Sequence, residues 1–428
     1  MYAAERLEQV AAPVARDGLL RFLTCGSVDD GKSTLIGRLL LDTRSILADT
    51  LHAIERTSRR KGLEAVDLSL LTDGLQAERE QGITIDVAYR YFSTGTRKYI
   101  IADAPGHEQY TRNMVTAAST ANLAILLVDA RKGVLTQTRR HAYLAHLVGI
   151  PHLVVAVNKM DLVGWSRDAY ARIQQDFLAF AERLGIDDVR FLPISALAGD
   201  MIVERGANLG WYAGPTLLEL LEAAPAAHTE RDERFRFPVQ YVCRPQTAAH
   251  HDFRGYMGRV ESGEIAIGDE VQILPSGLKS RVKDIQLLGT SLPVATSEQS
   301  VTLLLADDVD VSRGDLVVKA GEGPETTRKI DAHVCWLGEA PLSPSRRYVL
   351  RHTTREVRAA VAEIAHRVDL NTVEAVPAGA LAMNDIGRVS FRLAQPIAAD
   401  PYAANRATGA VIVIDEATND TVGAGMIL

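Results

Sequence analysis

The segment from residue 26 to residue 33 constrains the fold of this chain more than any other. It reads Gly-Ser-Val-Asp-Asp-Gly-Lys-Ser, which matches the phosphate-binding pattern G-x-x-x-x-G-K-[ST]. An apolar run, residues 20–24, precedes it, and a segment of helical pattern, residues 34–41, follows it. A strand, loop and helix N-terminus in this order direct backbone N–H groups and the helix dipole at a polyphosphate. The alternative is a glycine-rich turn before a helix with an incidental lysine.

The residue types of this loop fit the contacts that a nucleotide needs. Gly26 and Gly31 allow the backbone to turn so that its N–H groups face the anion. Lys32 is expected to reach the β- and γ-phosphates, and the hydroxyl of Ser33 is expected to bind Mg²⁺. The predicted phosphate-binding set is Gly26, Asp29, Asp30, Gly31, Lys32, Ser33 and Thr34.

Length and composition indicate a protein of two to four domains, with 428 residues of which 47% are hydrophobic and 24% charged. No apolar run approaches the roughly 18 residues that cross a bilayer. Residues 1–17 mix acidic and basic side chains, so they do not resemble a signal peptide. We therefore predict no membrane association and a cytoplasmic location.

Cysteine usage indicates the cellular compartment, and net charge bears on nucleic-acid binding. Cys25, Cys243 and Cys335 are odd in number and widely spaced, which favours a reducing compartment and gives no disulfide framework or zinc-like spacing. The formal net charge of −7 argues against a large nucleic-acid surface, because such surfaces must neutralise phosphates. A nucleic-acid partner is therefore not expected.

Residues 18 to about 223 alternate between strand-length apolar runs and longer amphipathic segments. The apolar runs are 98–103, 123–129, 153–158 and 191–195, and the amphipathic segments are 107–119, 136–147, 166–184 and 216–222. This alternation predicts an α/β P-loop domain with a mostly parallel sheet and helices on both faces. In such sheets the ligand contacts come from loops at the carboxyl ends of the strands.

Residues 103–107, Asp-Ala-Pro-Gly-His, follow one of these apolar runs directly. Asp103 at this position can hold Mg²⁺ through water, and Gly106 can bring its N–H close to a γ-phosphate and so detect it. The alternative is an ordinary turn that ends a strand.

Residues 158–161, Asn-Lys-Met-Asp, follow the run at 153–158. The Asp161 carboxylate can accept two hydrogen bonds from guanine, whereas adenine would leave it unpaired at a cost of roughly 1–3 kcal/mol. The triplet Ser195, Ala196 and Leu197 offers a backbone N–H to the guanine O6 atom. Together with Asn158 and Lys159, these residues predict GTP and GDP rather than adenine nucleotides as ligands.

The stretch 73–86 lies between the phosphate loop and the Asp103 motif. Its Thr84 is well placed to complete the Mg²⁺ shell, with Ser33 and Asp103, when a γ-phosphate is bound and to release it afterwards. The stretch is therefore predicted to be a local switch.

Three of these segments together resemble the translational GTPase superfamily, which includes elongation factors Tu and 1-alpha. They are Gln-Gly-Ile-Thr-Ile-Asp at 81–86, Asp-Ala-Pro-Gly-His at 103–107 and Asn-Lys-Met-Asp at 158–161. The resemblance implies that His107 positions the attacking water, with Thr84 contributing a backbone carbonyl and Lys32 contacting the phosphates. The alternative for His107 is to cap the helix that follows it. Arg79 and Arg112 lie in the motif regions, but neither is an obvious arginine finger. The resemblance implies slow intrinsic hydrolysis that a partner accelerates.

A closer resemblance is to the GTPase subunit of bacterial ATP sulfurylase, the large subunit of sulfate adenylyltransferase. It rests on residues 26–40, 73–80 and 107–114, and it is dense over residues 20–165. Elongation factors usually carry His where Asp30 stands. The resemblance implies that GTP hydrolysis is coupled to the formation of adenosine 5′-phosphosulfate from ATP and sulfate, on a separate small catalytic subunit. A translation factor that binds tRNA is the alternative.

The pattern changes after a predicted linker at 223–234. Short strands separated by turns are predicted at 237–243, 253–260, 270–274, 281–287 and 301–305, and again at 333–336, 346–352, 356–366, 387–393 and 409–415. These predict two antiparallel β-barrels. The predicted domains are an N-terminal extension (1–17), a GTP-binding domain (18–228) and barrels at 229–325 and 326–428.

Two further features of this C-terminal part have simple interpretations. His250 and His251 lie in a loop without further metal ligands nearby, so we interpret them as solvent-exposed.

Residues 346–367 contain six arginines and two glutamates, a balance of +4. A solvated or partner-facing strand pair is favoured there over an RNA-binding stripe. No second Walker-type loop occurs, so the adenylylsulfate kinase that is sometimes fused to this family is not expected in this chain.

Overall fold

The computed structural model describes residues 18–60, 66–71, 84, 86–107, 110–225, 234–245 and 253–428. They divide into two compact units, the first within the chain up to His228 and the second covering most of the remainder. Among the described residues, no helix combines the length and apolar character needed to cross a membrane.

The first unit is built on a six-stranded sheet. Its strands are β1 (Leu19–Gly26), β2 (Ala88–Ser93), β3 (Lys98–Asp103), β4 (Leu123–Asp129), β5 (His152–Asn158) and β6 (Val189–Pro193). Their spatial order is β2-β3-β1-β4-β5-β6, in which β2 is antiparallel to β3 and the other neighbours are parallel. Every residue of β4 is buried, as expected of a central strand covered on both faces.

The described part of this unit also contains amphipathic α-helices. They are α1 (Lys32–Asp42), α2 (Ala48–Arg60), α3 (Thr111–Ala118), α4 (Thr136–Leu147), α5 (Arg167–Leu184) and α6 (Leu217–Ala223). α1, α3 and α4 contact β1, and α5 contacts β6. The bounds of α5 follow from local sequence: the Ser166 Oγ accepts a hydrogen bond from Ala169 N (3.2 Å), and Gly185 ends the helix with a φ of 69°.

The second unit contains a first closed antiparallel barrel. Its region comprises β7 (Phe237–Cys243), β8 (Gly255–Arg259), β9 (Glu264–Ala266), β10 (Glu270–Leu274), β11 (Lys279–Leu287), β12 (Thr290–Ser291), β13 (Val294–Thr296), β14 (Ser300–Leu305) and β15 (Leu316–Lys319). The barrel runs β10-β15-β7-β8-β14-β11 and closes through pairing of β11 with β10. The alternate residues of these strands that point inward, among them Phe237 and Tyr256, form one apolar core.

A second closed barrel follows in the same unit. Its region comprises β16 (Thr326–Trp336), β17 (Arg347–His352), β18 (Arg355–Val368), β19 (Ala375–Val376), β20 (Ile386–Ala398), β21 (Ala410–Asp415) and β22 (Thr421–Ile427). The barrel runs β17-β21-β22-β16-β20-β18 and closes through pairing of β18 with β17. Trp336, Tyr348 and Phe391 lie fully buried in its core.

The arginine-rich segment 346–367 forms most of the antiparallel pair β17 and β18. Five of its six arginines contact carboxylates: Arg346 with Asp415, Arg351 with Glu356, Arg355 with Asp315, Arg358 with Glu416, and Arg367 with Asp385. The local excess of positive charge is therefore largely neutralised within the protein. This observation favours the strand-pair interpretation over an RNA-binding stripe.

The predicted fold class is confirmed, because a mostly parallel α/β sheet is followed by two antiparallel barrels. The domain boundaries at 17, 228 and 325 stay predictions. His250, His251, Arg79 and nearly all of the predicted switch at 73–86 lie outside the described residues. The strand β2 and the helix α2 were not predicted, because only one residue of β2 and two residues of α2 are buried.

Candidate nucleotide-binding site

The predicted motifs converge at one edge of the sheet. β1, β3, β5 and β6 end at the phosphate loop, at Asp103, at Asn158 and just before Ser195, respectively. Thr24 lies beside Asp103 in the parallel register of β1 and β3, and Val157 lies beside Pro193 in that of β5 and β6. All four motifs therefore lie at the carboxyl edge of the sheet, which is where ligands bind in open α/β sheets.

The phosphate loop turns through left-handed backbone at two residues, with a φ of 68° at Asp29 and 91° at Gly31. Gly31 occupies the N-cap position of α1, and a Cβ built there would lie 2.5 Å from Asn158 Nδ2. Only glycine therefore fits. Lys32, Ser33 and Thr34 form the first turn of α1, so their N–H groups lie at the positive end of its dipole.

Asp30 is buried beneath this loop. Its Oδ2 accepts a hydrogen bond from Ser27 N at 2.8 Å, while its Oδ1 and the buried Oγ of Ser27 have no hydrogen-bond partner among the described residues. Burial raises the pKa of the Asp30 carboxyl to about 6 despite the bond from Ser27. The carboxyl group thus fixes the shape of the loop from inside, and its assignment to the phosphate-binding set stays a prediction.

Lys32 joins the phosphate loop to Thr84 and Asp103, two of the three residues that were predicted to bind metal. Its ammonium group donates to the Asp103 carboxylate and, at 2.6 Å, to the Thr84 hydroxyl. Lys32 and Asp103 are both buried. The oxygens of Thr84 and Asp103 therefore already converge on one cation, next to Ser33 in the first turn of α1. Hydroxyl and carboxylate oxygens are the donors that Mg²⁺ prefers, so this set fits that ion.

Gly106 lies directly against the phosphate loop. A Cβ built there would be 2.4 Å from the carbonyl oxygen of Gly26, so the close approach excludes any side chain. His107 follows half-buried, with its ring 6.0 Å from that of Tyr110. The N-cap residue of α3 is Tyr110, whose N–H donates to the His107 carbonyl oxygen. The His107 side chain does not occupy the capping position.

Asn158 ties three loops of the site together. Its Nδ2 donates to the Asp30 carbonyl oxygen at 2.7 Å, and its Oδ1 accepts from Ala196 N at 2.9 Å. Lys159 has a left-handed φ of 63°, and its ammonium group contacts the Asp29 carbonyl oxygen and lies 3.0 Å from Asp129 Oδ2. The last residue of β5 and the residue after it therefore hold two successive residues of the phosphate loop.

Asp161 is half-buried and bonded to the third motif. Its Oδ1 accepts from the Ser195 hydroxyl at 2.8 Å, and its Oδ2 makes no hydrogen bond within the described part of the chain. The Ser195 Oγ also accepts from Ala198 N at 3.2 Å, which fixes the turn that contains Ala196 and the exposed Leu197. The arrangement orients one carboxylate oxygen for a donor pair such as the guanine N1–H and amino group.

Comparison with known proteins agrees with this geometry. Residues 17–227 match the model of the elongation factor Tu GTP-binding domain, and residues 329–428 match the GTP-eEF1A C-terminal domain-like family. Sulfate adenylyltransferase subunit 1 of Alteromonas mediterranea is 54% identical over 96% of this chain and 87% of its own length. The same-named protein of Chromobacterium violaceum is 53% identical over 100% of this chain and 89% of its own length.

The chain belongs to the sulfate adenylyltransferase subunit 1 family. The bifunctional enzyme CysN/CysC of Mycobacterium tuberculosis is also similar, at 53% identity over 96% of this chain and 67% of its own length. The first unit of this member of the family is accordingly a GTPase domain that binds guanine nucleotides.

Two residues of this family member's site were missed by the sequence analysis. Asp129 ends β4 and is held by Lys159, by two bonds from the Arg131 guanidinium group, at 3.0 and 2.6 Å, and by one from Arg131 N, at 2.9 Å. Burial raises the pKa of Asp129, but these bonds outweigh burial and hold it well below its usual range. Its position after a buried strand, like that of Asp103, was a signal that could have revealed it. Arg38 donates to the carbonyl oxygens of Ala196 and Leu197, at 3.3 and 2.6 Å. No local sequence pattern predicts this contact.

Proposed function

We propose that this chain binds and hydrolyses GTP and that this turnover drives the formation of adenosine 5′-phosphosulfate and pyrophosphate from ATP and sulfate. The adenylyl transfer itself would occur on a separate, smaller catalytic subunit. A sulfate–phosphate anhydride is so rich in free energy that its formation from ATP lies far uphill, and GTP hydrolysis supplies a second exergonic step.

The convergence of Lys32, Asp103, Asn158 and Asp161 at one sheet edge carries this proposal. Lys32 and the backbone of the phosphate loop would hold the phosphates, and Asp161 with the turn at Ser195 would select guanine. His107, beside the close contact of Gly106 with the loop, would position the attacking water. These roles require alignment and charge stabilisation rather than a strong base, as phosphoryl transfer does.

Ser33, Thr84 and Asp103 would hold Mg²⁺, which when bound neutralises charge on the phosphates. The convergence of Thr84 and Asp103 on the Lys32 ammonium supports this assignment. Lys32 would then turn its charge toward the phosphates. The Asp103 carboxylate would then have the bound ion, in place of the Lys32 ammonium group, as its counter-charge.

The need for a partner follows from the family and from the sequence. The relatives are named as subunit 1, and this chain carries one nucleotide signature, at 26–33. The ATP and sulfate sites are therefore assigned to the partner subunit. The translation-factor alternative is not proposed, because the relatives that match nearly the whole of this chain carry the sulfate adenylyltransferase name.

The deciding experiment measures GTP hydrolysis by this chain alone and with the small sulfurylase subunit, ATP and sulfate, while pyrophosphate release is followed in parallel. We expect the partner and its substrates to stimulate both activities together. The Lys32→Ala variant, combined with the same partner, is the matched control and should support neither. GTP turnover that ignores the partner but rises with ribosomes would overturn the proposal.

A further inference from the structure

Gln137, in the first turn of α4, lies behind the turn that carries His107. Its Nε2 is 3.3 Å from the Gly106 carbonyl oxygen and 3.0 Å from Nε2 of His141, one helical turn further along. Its Oε1 accepts from Arg140 Nη1 at 3.0 Å. Both amide hydrogens and the amide oxygen of Gln137 thus have partners, and this network fixes the orientation of the amide.

His141 completes the network as an acceptor. It is fully buried, and burial, together with the nearby charges of Arg140 and Lys32, lowers its pKa to about 3. The imidazole is therefore neutral at physiological pH. Because Nε2 accepts from Gln137, the imidazole proton lies on Nδ1, which has no hydrogen-bond partner among the described residues.

The carbonyl group that Gln137 binds belongs to the peptide linking Gly106 to His107. A bond to this oxygen fixes the plane of the peptide. It therefore also fixes the direction in which the backbone continues to His107. On its other side Gly106 lies against Gly26 of the phosphate loop, so closely that no Cβ fits. The turn is thus held between α4 and the phosphate loop.

We propose that Gln137 is a positioning residue for GTP hydrolysis, which holds the Gly106–His107 peptide in place and is itself oriented by His141. This inference rests on the proposed GTPase function and deepens it. Neither side chain contacts the reacting atoms. Their effect is expected on the turnover step, through the placement of His107, and not on the affinity for the nucleotide.

The test uses Gln137→Met, which keeps length but removes the amide, and Gln137→Glu, whose carboxylate cannot donate to the Gly106 carbonyl oxygen when ionised. His141→Met removes the acceptor, and His141→Asn restores a neutral polar side chain. His146→Met changes an exposed histidine of the same helix and serves as the matched control. The full chain is assayed for GTP kcat and KM, and separately for GDP affinity.

We expect both Gln137 variants and His141→Met to lose about tenfold or more in kcat, with KM and GDP affinity changed less than about threefold. His141→Asn should recover part of the loss, and His146→Met should match the wild type. The double variant Gln137→Met/His141→Met should be no slower than the slower single variant, because both act through one contact. In ¹⁵N spectra of the wild-type protein labelled at histidine, the signal that is missing from the spectrum of His141→Asn belongs to His141. Its chemical shifts should be those of the tautomer that carries the proton on Nδ1.

Three results would overturn the inference, and they are distinguishable. Wild-type kcat in both Gln137 variants would overturn it while leaving the proposed function intact. Loss of GDP affinity in all the Gln137 and His141 variants would show that these residues only support the fold. A wild-type chain that hydrolyses no GTP, even with the partner subunit and its substrates, would refute the proposed function and the inference with it.

Discussion

The guanidinium group of Arg236 lies fully buried against the carboxylate of Asp400, with Nε 2.8 Å from Oδ2 and Nη2 2.9 Å from Oδ1. Arg236 directly precedes β7 of the first barrel, and Asp400 follows β20 of the second. The hydroxyl of Thr408 donates to Asp400 Oδ2 at 2.6 Å, and Asn405 Nδ2 donates to the Ser262 hydroxyl at 2.8 Å. One bidentate ion pair and its polar surroundings therefore join the two barrels within the second unit.

Breaking this pair should strongly destabilise the second unit. Asp400→Asn leaves the Arg236 guanidinium buried without a counter-charge, for which we expect a loss of about 3–5 kcal/mol in the free energy of unfolding. The double variant Arg236→Met/Asp400→Leu should recover most of the loss, because it removes both buried charges. Urea unfolding midpoints of the full chain measure both effects.

The exposed pair of Arg351 and Glu356 on the second barrel provides the control. Both side chains are about half exposed. Glu356→Gln should therefore change the free energy of unfolding by at most about 1 kcal/mol. An Asp400→Asn protein that unfolds at the wild-type urea concentration would contradict the importance assigned to the buried pair.

The sequence predicted the fold class and the edge of the sheet where the motifs meet, because strand-length apolar runs and their end residues are local patterns. The runs 98–103 and 123–129 coincide with β3 and β4, and 136–147 coincides with α4. The contacts between motifs were not predictable in this way. The bonds of Asn158 to Asp30 and Ala196 join residues 128 and 38 positions apart, and only the three-dimensional register brings them together.

The same distinction applies to Gln137 and Arg236. Gln137 is an ordinary polar residue in a segment whose pattern indicates a helix, and Arg236 directly precedes a segment whose pattern indicates a strand. Their importance comes from partners that lie 31 and 164 positions away, Gly106 and Asp400. No composition or spacing rule selects one arginine in a barrel as the buried one.

Asp30 should make the stability of the nucleotide-free protein depend on pH. Burial raises its pKa in the native state to about 6, against about 3.9 in an unfolded chain, so the native state binds more protons between these values. The stabilising contribution of this carboxyl is therefore present below about pH 4 and is lost as the pH rises through 6. Asp30→Asn should gain stability relative to the wild type over that range, reaching about 3 kcal/mol at pH 7.

Urea unfolding of both proteins at several pH values between 4 and 7 measures this difference. Asp49→Asn replaces an exposed carboxyl of α2 and should give no such trend. A difference between Asp30→Asn and the wild type that stays constant from pH 4 to pH 7 would contradict the raised pKa.

Lys32→Ala should abolish nucleotide binding. It removes the charge that faces the phosphates, and it leaves the buried Asp103 carboxylate without its cation. We expect at least about a 100-fold loss of GTP affinity in a titration. Lys132→Ala, which removes an exposed lysine, should bind GTP normally. Normal affinity in the Lys32 variant would defeat the assignment of the phosphate loop.

Asp161→Asn should move the nucleotide preference from GTP toward xanthosine triphosphate. The amide presents a donor where xanthine carries a carbonyl group, whereas the native carboxylate accepts from the guanine amino group. The ratio of the two dissociation constants should change by about 10- to 100-fold. Asp168→Asn, at an exposed site in the first turn of α5, is the control. An unchanged preference for guanine would mean that the base is recognised elsewhere.

His107→Ala should separate nucleotide binding from turnover. The side chain is half-buried beside Gly106 and does not occupy the N-cap of α3, so its removal should leave GTP affinity within about threefold of the wild type. Loss of a group that positions the attacking water should slow single-turnover hydrolysis by about 100-fold. His52→Ala, in the exposed part of α2, should hydrolyse GTP at the wild-type rate. If His107→Ala did so as well, the water would be positioned by another group.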